Sequence, residues 1–79
     1  MRIKESVTEN DLLDLGYVIS SKFADGTITY RKTINDKKAI YIFSDTREVQ
    51  TFNVKTYSFV DVMEYDNDVQ DLIRGGLIE

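Results

Sequence analysis

Asp61, Glu64, Asp66, Asp68 and Asp71 crowd one short stretch of the chain, and carboxylates at such density could serve as acid–base pairs, a metal loop or an acidic docking surface. Within "DNDVQD", residues 66 to 71, oxygen ligands alternate as they do at the opening of a calcium loop. Position 6, which needs glycine, is Asp71, and position 12, which needs glutamate, is Leu77, so the stretch reads instead as a helix N-terminus. No spacing singles out two carboxylates for proton transfer. The chain has no His and no Cys, which removes Ser-His and Cys-His nucleophiles and the commonest zinc ligands. Gly75-Gly76 follows a helix, whereas phosphate-binding glycines precede one. These readings point away from an enzyme and call for no catalytic residue, metal or cofactor.

Charge is unevenly spread. Residues 61–79 carry six acidic side chains and Arg74, a net −5, while residues 1–60 hold nine basic and eight acidic ones. An acidic inhibitor that imitates nucleic acid and occupies a basic site on a nuclease or DNA-binding protein is one function this permits. The overall net charge of −4 makes binding of nucleic acid itself the weaker expectation. Arg31, Lys32, Lys37 and Lys38 cluster near Tyr30 and Tyr41, a mixture that can bind single strands, but lysines at a hairpin tip more often block edge pairing.

The elements that must position these residues are legible in outline. In "SVTENDLLDLG", Thr8 is placed to cap a short helix, with Asp11 closing a capping box and Gly16 ending it. Asp25-Gly26 suggests a two-residue hairpin turn that would set Phe23 opposite Ile28. Pairing Ile34 with Ala39 would set Tyr30 opposite Phe43, gathering the aromatic residues, Phe52 and Val54 on the core face. The expected strands are 17–23, 27–34, 39–44 and 47–54, an antiparallel meander of four to five strands. Residues 57–65 suit either a fifth strand or a helix capped by Ser58. A last helix is expected from Asn67 as N-cap. Gly76 is the left-handed C′ residue, with Leu77 folding back on Leu72 in a Schellman stop. The predicted fold class is α+β: a short N-terminal helix, the meander and a C-terminal helix, in one domain spanning 1–79.

On this register Ile40, Ile42 and Val49, joined by Val60 and Val62, form an apolar patch on the second sheet face. Either the last helix covers it or it is a protein interface. A small core without disulfide or zinc gives weight to the second option, and a homodimer would satisfy it.

The amino-terminal segment has no apolar stretch like that of a signal peptide, and no run approaches the roughly 18 apolar residues of a membrane span. A cytoplasmic protein with no membrane partner is expected. The opening "TENDLLDLGY", the Tyr- and Lys-rich hairpins and the ending "VQDLIRGGLIE" resemble small accessory proteins of temperate phages and prophages of low-GC Gram-positive bacteria. That resemblance implies a protein-binding role, often the redirection of a host protein.

Overall fold

The computed structural model describes residues 1–79. Its elements are α1 (Glu9–Asp14), β1 (Val18–Lys22), β2 (Ile28–Thr33), β3 (Lys38–Phe43), β4 (Val49–Asn53), β5 (Ser58–Asp61), a 3₁₀ turn (Asn67–Val69) and α2 (Gln70–Arg74). The five strands form one antiparallel sheet in sequence order. Strand dominates and both helices are short, so α+β describes the fold only loosely.

The helix ends follow local chemistry. Thr8 Oγ1 accepts from the Asp11 amide at 3.2 Å and Asp11 Oδ2 accepts from the Thr8 amide at 2.8 Å, completing the capping box. Gly16 then takes φ +94°, ending α1. At the other end the Leu77 amide donates to the Leu72 carbonyl and the Gly76 amide to that of Ile73, each at 3.0 Å, the paired bonds of a Schellman stop with Gly76 at φ +71°. The N-cap ahead of α2 is Asp66, not Asn67: its carboxylate accepts from the Asp68 amide at 3.0 Å, and the first turn is 3₁₀.

The hairpins correct the expected register. Phe23 pairs with Thr27 across Ala24-Asp25-Gly26, a three-residue loop with Gly26 left-handed, where a two-residue turn was expected. Ile34 likewise pairs with Lys38 across Asn35-Asp36-Lys37, with Asn35 Oδ1 accepting from the amides of Lys37 and Lys38 at 2.8 and 3.1 Å. Tyr30 therefore faces Ile42, and Thr29 faces Phe43. A one-residue slip exchanges the two faces of a strand. The core is accordingly the aliphatic face of β3, and the aromatic residues of β3 point the other way.

One buried cluster joins Tyr30, Ile40, Ile42 and Val49 of the sheet to Leu12 of α1, Tyr17, Val69, Leu72 of α2, Ile3 and Val62. Two lysines on that face fasten the start of the last helical segment: Lys32 Nζ lies 2.7 Å from Asp71 Oδ2, and Lys38 Nζ lies 2.6 Å from Asp68 Oδ2. Residues beyond the helix stop close the side of the layer. Ile78 bridges to Ile3, and Lys4 N–H donates to the Leu77 carbonyl at 2.8 Å. Arg47, at φ +63°, receives the Ile3 amide on its carbonyl and sends its guanidinium to Glu79 at 2.8 Å.

Candidate functional site

With both helices on one side, the opposite face of the sheet has no second layer. The pairings place Val18, Thr29, Arg31, Thr33, Ala39, Tyr41, Phe43, Gln50, Phe52, Phe59 and Asp61 on it. Its centre is aromatic. The Phe59 ring lies 5.0 Å from that of Phe52, 5.3 Å from Tyr41 and 5.4 Å from Phe43, reaching across β4 in tilted and edge-on contacts. Tyr57 continues the group at 5.8 Å from Phe52. Such edge-to-face pairs contribute about 0.5–1.5 kcal/mol each beyond area burial. They hold the rings as a rigid platform, yet Phe59 remains 45% exposed and Tyr57 82%.

The loops carry this platform at its margins. Asn53 Oδ1 accepts from the amides of Lys55 and Thr56 at 2.9 and 3.2 Å, turning the chain so that Tyr57 sits at φ +52°. A tyrosine in the left-handed region is strained by about 1 kcal/mol or more. That strain places an exposed ring beside Phe52.

Of the two covers the sequence allowed for the Ile40, Ile42 and Val49 patch, the structure shows the helical one, so these residues are not a free protein interface. Ile40, Ile42 and Val49 have no exposed surface and Val62 has 5%, because the helices cover them; Val60 alone of the five is exposed, at 57%. The apolar surface the chain leaves uncovered is the one assigned to the core from sequence. The turn lengths decide this, and a one-residue difference in a loop leaves little trace in composition.

The expected acidic surface is also largely spent. Asp68 and Asp71 are half-buried and ion-paired with Lys38 and Lys32, and Asp66 caps the 3₁₀ turn. Asp61 Oδ1 accepts from Gln50 Nε2 at 3.0 Å, and both Asp61 and Glu64 are exposed. No three carboxylates converge as metal ligands. The basic cluster is divided in the same way: Lys32 and Lys38 turn to the covered side, while Arg31 stands on the open face outside every ion pair of the chain.

Two buried polar groups lie beneath the helical layer. Tyr17 is 1% exposed and its hydroxyl has no partner; burial first, then the carboxylates of Asp71 and Asp68, push its pKa well above the usual tyrosine range. Asp68 Oδ2 has only the approach of Lys38, and that hydrogen-bonded contact raises the lysine's pKa. The largest concavity, about 740 Å³, lies between Met1, Val62, Met63, Tyr65 and Ile78, and its charged rim is mixed. Neither feature assembles a nucleophile beside a base.

No helix is long and apolar enough to cross a membrane. Comparison with protein-family models, characterised proteins and solved structures finds no match to this chain.

Proposed function

We propose that the chain is a non-enzymatic protein-binding module whose working surface is the open aromatic face. The observation that supports this reading is the ring platform of Tyr41, Phe43, Phe52, Tyr57 and Phe59, held in mutual contact on a face that no part of the chain covers. Rigid aromatic groups are the side chains that most often anchor protein interfaces, since they present large contact area at small entropic cost. The phage accessory proteins that the sequence resembles suggest the same mode of action. The acidic side chains that an acidic mimic would use are mostly engaged within the fold.

The test is capture of protein partners by the immobilised chain from a Gram-positive lysate, with Phe52→Ser/Phe59→Ser as the control. Partners retained by the parent at both low and high salt, and lost by a variant of unchanged circular dichroism, are the expected result. Capture identical in parent and variant removes the open face from the function. Capture that disappears with salt but ignores the ring substitutions transfers the role to the remaining carboxylates.

A further inference from the structure

We infer that the open face is the contact surface of a two-fold homodimer, in which two sheets pack face to face and each Arg31 meets Asp61 of the second copy. This rests on the reading of that face as a binding surface and names its occupant in the free protein, which a protein captured from a lysate displaces.

The first support is a row of side chains running straight across the sheet. Arg31 pairs with Tyr41, Tyr41 with Gln50 and Gln50 with Asp61, so the row begins with a cation, ends with an anion and is ring and amide between. Neither end takes part in an ion pair within the chain. A two-fold axis parallel to the strands, passing between β3 and β4, lays β2 of one copy over β5 of the other and β3 over β4. Arg31 then stands over Asp61 of the second copy, twice by symmetry, and Tyr41 and Phe43 meet the Phe52 strand at the centre. A surface used twice must be complementary to itself. This row has that property about one axis.

Size gives the second support. The Cα envelope measures 32 × 32 × 19 Å, so the molecule is a slab whose sheet side is one broad face. Such a face offers on the order of 800 Å² per partner, the area that a stable protein interface buries. Two sheets with apolar inner faces pack about 10 Å apart with their side chains interdigitated, and the half-exposed ring of Phe59, beside Phe52, offers apolar surface for such a layer. The resulting order of layers is helix, sheet, sheet, helix.

Charge separates this occupant from a nucleic-acid strand. Arg31 is the one basic residue among the strand positions of the face, and Asp25, Asp36 and Asp45 line the concavities at its margins. A stacked single strand would bring its phosphates against those carboxylates.

The experiment is light scattering and sedimentation from low to several hundred micromolar, on the parent and on charge-reversed chains. Arg31→Asp or Asp61→Arg alone should weaken dimerisation at least tenfold, because each places like charges in contact at both ends of the row. The doubly reversed chain, Arg31→Asp with Asp61→Arg, should regain the parental association. An equimolar mixture of the two single variants should form a heterodimer, since both of its contacts are again opposite in sign. Phe59→Ser should raise Kd at least tenfold with circular dichroism unchanged. A parent that stays monomeric at several hundred micromolar overturns the dimer, whereas the binding-face reading fails separately if lysate capture ignores Phe52→Ser/Phe59→Ser. A dimer indifferent to Phe59→Ser and to all charge reversals overturns the proposed surface. Salt-sensitive binding of a fluorescent oligothymidylate, lost in Phe59→Ser, overturns the choice of occupant.

Discussion

The covered face of the sheet is built on Ile40, Ile42, Val49 and Tyr30, while the open face carries Tyr41, Phe43, Phe52 and Phe59, so most of the large rings stand on the side without a second layer. Compact β-branched side chains allow short helices to approach the sheet closely, and Leu12, Val69 and Leu72 fill the remaining space. The rings work differently. They shield one another edge to face and remain partly exposed, which gives a stiff surface of modest value to the isolated chain. On the proposed reading, stability and recognition are thus divided between two sides of the same strands.

The largest effect that would sharpen this division is Ile42→Asp. A carboxylate at a fully buried site with no partner should cost about 4 kcal/mol or more and unfold a domain of this size. Far-ultraviolet circular dichroism should show lost structure, and a folded variant would mean that the aliphatic face is not the core. Phe59→Ser, measured at low protein concentration so that association does not contribute, should leave a cooperative transition.

Next come the residues that close the covered side. Leu77→Ala should destabilise by about 2 kcal/mol through lost burial, and Gly76→Ala by about 1 kcal/mol. The space around Gly76 would admit a methyl group, so its effect comes from positive φ alone. Urea titrations at equal protein concentration measure both, and equal midpoints for parent and variants would show that the helix stop does not seal the core.

Tyr17→Phe should act in the opposite direction. Removing a partnerless buried hydroxyl stabilises by about 1 kcal/mol. Its pKa in the fold lies above the ordinary 10.0, so the stability tied to the neutral phenol is complete below pH 10 and is lost as pH rises further, when the unfolded chain ionises first. Lys38, raised from 10.5, has the same sign. The parent should therefore lose stability above pH 10, and Tyr17→Phe should lose less. Equal slopes in alkaline denaturation would remove Tyr17 from that account.

Tyr57→Gly should have the smallest effect on stability, a gain of no more than about 1 kcal/mol as left-handed strain is relieved. Association should weaken at the same time. A large loss of stability would show that the Tyr57 ring belongs to the folded core.

Much of this architecture was legible where a few neighbouring residues decide the outcome. Thr8 with Asp11, and Gly76 with Leu77, specify their helix ends locally, and of the two readings open for 57–65 the strand is the one formed, over 58–61 only. The division of faces was not legible, because both faces of β3 are apolar: Ile40 and Ile42 on one side, Tyr41 and Phe43 on the other. Alternation alone could not choose between them. The choice lies in Ala24-Asp25-Gly26 and Asn35-Asp36-Lys37, each looping by three residues. The same slip concealed the ion pairs, since it carries Lys32 and Lys38 beneath α2 while leaving Arg31 outside.

Strands that neighbour each other in sequence order also have a kinetic meaning. Each hairpin closes a loop of three or four residues, so the meander can form by local steps whose entropic cost is small, and its mostly short-range pairing favours rapid folding for a sheet. The chain contains no proline, so no peptide isomerisation delays it. The long-range closure is that of residues 1–4 against 47–49 and 77–79, which secures the helical layer. Substitutions at Ile3 or Ile78 should therefore accelerate unfolding and leave the folding rate nearly unchanged, whereas changes in the β2–β3 hairpin should slow folding itself.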